Sequence, residues 1–472
     1  MKHLFKTIFF ILIFAVTLSA CNSIFQKNKN ISAIEKIKQK GKIVAVTQNN
    51  STDYFIYKGE PMGYQLELLQ MLSDYLKIKL EVIVNNDLES NFKGIENGDY
   101  DIMAINLTVN KPRAERISFT NPIGQTRQVL VQRKPSNFKE LSNEQLDNVL
   151  IRNQIDLGNK VIYVKKQSSY VHRLKNLSEE IGKEIIIVEV PDYEDEQLIE
   201  MVSDGLIDFT VCDENVAMVS QMYFDNIDIA TPISFQQNVA WAVNKNSRDL
   251  LKLINSWLDE FKGTPQHIAI YNKYYKNDKR IRMINNEYFA NITGKLSQYD
   301  EIIKENSKRI QWDWRLLASL ICQESRFDPT AKSWTGAFGL MQFMPSTAAL
   351  FKVSEESPLD KQIEAGTKYI QWLDKQFRQN NISSDDDIIK FILASYNVGI
   401  GHVIDAQKLA EKYGYNPNKW EDVSFFLLNK SNPKYYLDPD VKFGYCRGKE
   451  TCAYVEQIID RYNHYKNILA DN

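Results

Sequence analysis

What limits this chain most is a change of period. From Lys42 to about Phe261, short β-branched runs alternate with amphipathic segments; from Tyr299 onward, apolar residues recur only at helical spacing and the β-branched runs thin out. Strand-like runs at 43–46, 80–84 and 101–105 alternate with helical patterns at 64–77 and 92–96, the second stopped by Gly98. Residues 128–131 read as a crossover strand, after which the rhythm restarts with strands at 161–164, 184–189 and 207–211. A last strand at 239–243 precedes a helix at 250–261. Such βα alternation predicts a parallel sheet covered by helices, and the restart predicts two lobes. The remainder is expected to be a small all-α domain, with the boundary between about 265 and 295. A chain of 472 residues is also too long for one core.

The N-terminus carries a different signal. Lys2, His3 and Lys6 precede an apolar run over 8–18 and then Ser19-Ala20-Cys21, the layout of a secretory signal rather than a transmembrane helix. A cysteine directly after Leu18-Ser19-Ala20 resembles the lipobox of bacterial lipoproteins. That resemblance implies removal of residues 1–20, lipidation of Cys21 and a tether over 21–37. Each buried CH2 contributes about 0.8 kcal/mol, so two or three acyl chains anchor where one does not. Asn22 follows the cysteine in place of an acidic residue, so the expected location is the periplasmic face of the outer membrane.

Charge and cysteine usage exclude several classes. With 58 basic and 60 acidic side chains and no basic run, no nucleic-acid partner is expected. The five histidines are scattered, with neither HExxH nor paired Cys/His spacing, so no metal site is expected. No P-loop or GxGxxG fingerprint calls for a cofactor. Cys212 and Cys322 lie in apolar runs and read as small buried hydrophobes; Cys446 and Cys452, six apart, are left open between a disulfide and two thiols.

Four segments stand in a recognisable order: Gly63-Tyr64-Gln65-Leu66-Glu67-Leu68, Gly98-Asp99-Tyr100-Asp101-Ile102, Arg113-Ala114-Glu115-Arg116-Ile117-Ser118-Phe119-Thr120 and Gly205-Leu206-Ile207-Asp208. Residues 38–268 thereby resemble the family-3 bacterial solute-binding proteins. The resemblance implies a two-lobed α/β periplasmic-binding-protein fold that closes on an amino acid. Arg113 then grips the α-carboxylate, Thr108 assists it, Asp213 takes the α-ammonium, Ser168 belongs to the ligand loop, and Tyr54 and Tyr57 are ring walls. A planar guanidinium suits the first role because it binds a carboxylate through two parallel hydrogen bonds. On the residues alone, Arg113 also has a reading as a surface arginine beside Lys111 and Arg116, and Asp213 is equally a helix N-cap before Glu214, a role compatible with the first. Asn110, where the family often has threonine, and Gln167-Ser168-Ser169 depart from its pattern and leave the ligand open between an amino acid and a muropeptide.

The other half turns on one glutamate. Residues 314–328 read as a helix that Pro329 must end. Leu317, Leu320 and Ile321 form its apolar stripe, and Glu324, seven, four and three residues further on, falls on the same face. Desolvation there raises a carboxyl pKa from about 4.3 toward roughly 6, where it can donate a proton at neutral pH. A capping or salt-bridged glutamate has the same spacing. The order Glu324-Ser325, Gly339-Leu340-Met341-Gln342 and Tyr396-Asn397-Val398-Gly399 resembles the soluble-lytic-transglycosylase domain, a lysozyme-like α fold. It implies that Glu324 is both acid and base on peptidoglycan glycan strands, leaving 1,6-anhydromuramyl ends without consuming water. It further implies that Ser333 bonds near the muramyl N-acetyl group, that Gln342, Tyr396 and Asn397 hold the sugar, that Met344 shapes the groove floor and that Tyr454 lines the cleft. Asp328, before Pro329, reads as helix-stop chemistry rather than as the second carboxylate of a two-acid hydrolase.

The expected layout is therefore a signal at 1–20, a tether at 21–37, a ligand-binding domain at 38–268, a linker at 269–294 and a catalytic domain at 295–472. The competing expectations are a catalytically silent sensor lipoprotein that binds glycan or amino acid, and a muramidase that uses water.

Overall fold

The computed structural model describes residues 31–276 and 290–469, apart from 192, 223, 380, 381 and 383. The signal segment and Cys21 lie outside the described residues. The chain divides into two compact units, the first being Met1–Tyr54 with Gly63–Ile281 and the second Phe55–Met62 with Arg282–Asn472.

The first unit opens on α1 (Ala33–Lys40), where a tether was expected to run to residue 37. Ser32 and Glu35 explain the helix: the Ser32 hydroxyl accepts from the Glu35 N–H, and the Glu35 carboxylate accepts from the Ser32 N–H. Ile37 is buried, so the segment contributes to the fold.

Two sheets follow. The first contains β1 (Lys42–Thr47), β4 (Lys79–Val84), β5 (Ile102–Thr108), β6 (Ile117–Phe119), β7 (Gly124–Thr126) and β13 (Gln237–Asn244), in the order β4-β1-β5-β13-β6 with β7 also on β13. The second runs β10-β9-β11-β8-β12, from β8 (Gln128–Arg133), β9 (Val161–Lys165), β10 (Ile186–Val190), β11 (Phe209–Asp213) and β12 (Ile227–Pro232). The strands predicted from βα alternation are the parallel ones: β1 beside β4 and β5, and β9 beside β10 and β11. The sheets are nonetheless mixed. β8 lies antiparallel to β11 and β12, and β13 returns antiparallel to β5. Each sheet has its own apolar core, one around Val46, Met103 and Ile105, the other around Val129, Val164 and Val211. The linker expected from residue 269 begins inside a helix, Pro265–Tyr275, whose Tyr274 and Tyr275 are buried.

The second unit is helical, as expected, but it also takes in a hairpin that the sequence reading did not separate. β2 (Phe55–Tyr57) and β3 (Glu60–Met62) pair antiparallel with Tyr57 opposite Glu60. Lys58 and Gly59 both have positive φ, 49° and 77°, the conformation that a two-residue turn matched to strand twist requires. Ile56 is fully buried in the core of the helical unit with Leu317, Leu320, Ile321 and Phe391. The main helices are α2 (Trp314–Ser325), α3 (Leu359–Gln379), α4 (Asp385–Val398), α5 (Ile400–Lys412), α6 (Trp420–Asn429) and α7 (Gly448–Ile468). No helix among the described residues is long and apolar enough to cross a membrane.

Candidate functional site

α2 carries Glu324 in its last turn. Asp313 caps its start by accepting from the Arg315 N–H, and Arg326 and Phe327, with φ of 52° and 61°, turn the chain out of it just before Pro329. Leu317, Leu320 and Ile321 are fully buried, so the predicted stripe is the packed face. Burial pushes the Glu324 carboxyl up to about 7, and the Tyr454 hydroxyl, donating to Oε1, partly offsets this. The shift is larger than sequence spacing suggested.

Tyr454 reaches Glu324 because α7 lies along α2. The Ser319 hydroxyl donates to the Ile458 carbonyl at 2.8 Å, Gln323 bridges to Gln457 at 3.0 Å, and Arg461 donates to Gln323 at 3.0 Å. Three contacts spread over one helix face fix the pairing, so the Tyr454 phenol is held rather than free to swing. Tyr396, on α4, donates to the Met341 carbonyl at 2.9 Å and packs against Tyr369 with ring centroids 5.4 Å apart. The Glu324 charge is among the causes that raise Tyr396. The three side chains thus meet from α2, α4 and α7.

The loop after α2 is pinned by its own polar groups. Ser333 Oγ accepts from the Ala337 N–H at 2.9 Å and lies 2.8 Å from the Thr335 hydroxyl. The Gln342 amide N–H2 donates to the carbonyls of Ala331 and Gly339, both at 2.9 Å, so this end of the side chain shapes the loop. Met341 is buried in the core, whereas Met344 is exposed at the start of the next helix. Asn397 accepts from the Thr451 hydroxyl at 2.8 Å and ties α4 to α7. Asp328 is exposed and held below its usual value by the Thr330 hydroxyl and N–H, the helix-stop arrangement expected of it. Cys446 and Cys452 are free thiols.

The first unit holds a separate cavity of about 370 Å3. Thr108, Arg113, Ser168 and Asp213 all line it, joined by Asp53, Tyr170 and Asp195, which the sequence reading missed. Arg113 is half-buried and donates to the Thr108 carbonyl at 3.1 Å. The surface ion pairs of that segment belong instead to Arg116, with Glu89 and Glu96. Asp213 does occupy the N-cap position of the Glu214–Gln221 helix, but its side chain makes no cap hydrogen bond. Tyr54 and Tyr57 are not walls of the cavity. Tyr54 is fully buried where the chain leaves the first unit, and Tyr57 lies on β2 in the second. Nothing local in the sequence marks Asp53 or Asp195; only the folded loops bring them to Asp213.

Two family models match the chain: bacterial extracellular solute-binding proteins, family 3, over residues 42–277, and the transglycosylase SLT domain over residues 301–419. Full-length relatives are similar as well. Membrane-bound lytic murein transglycosylase F of Desulfosudis oleivorans is 32% identical over 94% of both chains. The proteins of the same name from Stutzerimonas stutzeri (31% identical, 92% of this chain and 86% of the relative) and Photobacterium profundum (29%, 99% and 87%) follow the same pattern. An α/β solute-binding domain followed by a helical transglycosylase domain, matched along nearly the whole length, makes this chain a member of the membrane-bound lytic murein transglycosylase F family and a peptidoglycan lytic transglycosylase.

Proposed function

We propose that Glu324 is the single acid and base of the reaction. Its carboxyl, raised by burial to about 7 and bonded to Tyr454, is the observation that carries this reading. A group titrating there is partly protonated at neutral pH and can act in both directions. The protonated carboxyl gives its proton to the glycosidic oxygen between N-acetylmuramic acid and N-acetylglucosamine as the bond to the anomeric carbon breaks. The resulting carboxylate then takes the proton of the muramyl 6-hydroxyl, whose oxygen bonds to the same carbon. No water enters, and the enzyme ends in its starting protonation state. Tyr454 orients the carboxyl, Tyr396 and Met344 flank the sugar, Ser333 and Gln342 hold the loop against which it lies, and Asn397 fixes α4 to α7.

A two-acid hydrolase needs a second carboxylate across the bond. The nearest candidate in sequence, Asp328, is committed to Thr330. Mass spectrometry of digested sacculi separates the readings. Anhydro-muramyl ends support this mechanism, reducing ends a muramidase, and no cleavage a silent binding protein. Glu324→Gln is expected to lose activity by at least about 100-fold; if that variant still releases anhydro products, the assignment fails.

The cavity of the first unit is read as an amino-acid clamp in which Arg113, Thr108 and Ser168 hold the α-carboxylate and Asp213 the α-ammonium. Its occupancy is proposed to regulate cleavage, which requires the ligand to bind two states of the protein differently. Unchanged turnover with the clamp filled or empty would argue against it. The sequence Leu18-Ser19-Ala20-Cys21 supports a lipid anchor at Cys21 on the periplasmic face of the outer membrane. A Cys21→Ala protein recovered in the soluble periplasmic fraction is the expected result.

A further inference from the structure

We propose that the cavity of the first unit takes an α-amino acid whose side chain carries a second cationic group. The inference rests on the clamp reading and names its ligand class. The wall is more acidic than a zwitterion needs. Five carboxylates line it (Asp53, Asp87, Glu194, Asp195 and Asp213) against three cations (Arg113, Lys165 and Lys166). Lys165 is already paired with Glu194. Arg113 and Asp213 are the pair that grips the ends of a plain amino acid; Lys165, which faces both Glu194 and Asp195, and Lys166 leave the rest of the wall with more carboxylates than cations.

Asp53 and Asp195 are not idle surface acids. Asp195 receives the Tyr170 hydroxyl on Oδ2 at 2.8 Å, while its Oδ1 is buried with no hydrogen-bond partner. Asp213 Oδ1 and Ser168 Oγ, on the same cavity, are also buried without a partner. An acceptor in that state is unfavourable until a donor arrives. Asp53 is 2% exposed and takes neutral amide donors from Asn50 (3.0 Å) and Asn106 (2.8 Å). Glu196, which accepts the Ser51 N–H at 2.9 Å, adds its charge to Asp53 and to Asp195. Asp195 and Asp53 both raise Asp213, while Arg113 feels Asp213 and Tyr170. Burial, with repulsion from neighbouring acids, raises Asp53 and Asp195 to about 6 and Asp213 to about 7 although Lys165 opposes the rise at Asp195 and Arg113 that at Asp213, a penalty that a bound cation relieves further. Leu88, Ile105, Leu107 and Val216 on the wall suit an aliphatic stem between the two ammonium groups.

Calorimetry on the full chain with L-lysine and L-norleucine tests this, since the two share a stem and differ in the terminal ammonium. Lysine is expected to bind about 10- to 100-fold more tightly. Asp195→Asn, which keeps an acceptor for Tyr170, is expected to bring the two ligands to within a few-fold by weakening lysine alone. Asp53→Asn is expected to act in the same direction and covers the case in which the first variant fails to fold. Equal binding of lysine and norleucine to the unaltered protein, or a ratio that neither variant changes, overturns the second-cation assignment and leaves the clamp standing. Heat from neither ligand overturns both.

Discussion

Glu324 sits between two opposing effects, and Tyr454 is where they can be separated. Burial favours the neutral carboxyl, while the Tyr454 hydroxyl favours the carboxylate. Removing the hydroxyl leaves desolvation unopposed, so Tyr454→Phe is expected to raise the Glu324 pKa by about one unit. Under the proposed mechanism the acid is protonated when it cleaves, so the alkaline limb of the pH profile of kcat/KM should move up by that amount. A limb that stays in place would mean that the bond is not made in the working enzyme. A second residue-scale test concerns Lys430 and Asp405, an ion pair with both side chains fully buried and 2.7 Å apart. Asp405 also accepts the N–H groups of Lys442 and Phe443, at 2.9 and 2.8 Å, and so ties α5 to the loop that leads into α7. Lys430→Met strands a buried carboxylate and should destabilise the fold by about 3–5 kcal/mol in denaturant unfolding. A loss below about 1 kcal/mol would mean that water reaches Asp405.

Among the elements, those legible in the sequence were the ones whose signal is local. The stripe of α2 placed Glu324 correctly because the spacing of 3, 4 and 7 residues is a property of one helix. The parallel strands were visible for the same reason. The approach of Tyr454, 130 residues away, could be inferred only by resemblance, because no local period encodes which helices pair. The β2–β3 hairpin shows the limit more sharply. Its turn residues, Lys58-Gly59, are readable, but nothing nearby says that it packs with helices more than 200 residues later. The Gly59 carbonyl accepts from the Tyr465 hydroxyl at 2.6 Å, and a Cβ there would lie 2.6 Å from a Phe327 ring carbon and 2.7 Å from the Tyr465 oxygen. Gly59→Ala should therefore cost about 2–4 kcal/mol, from positive φ and from overpacking together. Gly98→Ala is the control: φ is 80° but nothing lies within 4 Å, so only the backbone part, about 1–2 kcal/mol, is expected. Equal losses at the two sites would mean that the hairpin is loosely held.

At the scale of the molecule, the change of period located the two architectures but not the border between them. The boundary in sequence, between Ile281 and Arg282, is not the boundary in space, because Phe55–Met62 belongs with the helical unit. The catalytic unit is consequently discontinuous. Ile56 fills its core, and Glu60 lies 3.6 Å from Arg461 of α7 and 3.7 Å from the Cys322 thiol of α2, the two helices that bring Tyr454 to Glu324. A fragment of residues 282–472 retains every proposed catalytic side chain yet lacks the hairpin. It should unfold below the helical transition of the full chain. Losing the Ile56 contacts leaves a void worth about 2–5 kcal/mol, and at about 2–4 °C per kcal/mol for a unit of this size the drop should be on the order of 10 °C. Circular dichroism melting of fragment and full chain measures it directly. Coincident melting temperatures would show that the hairpin is an ornament of the helical core. A fragment that melts early and cleaves sacculi more slowly at temperatures where it is still folded would show that the hairpin also holds α2 and α7 in register for the chemistry.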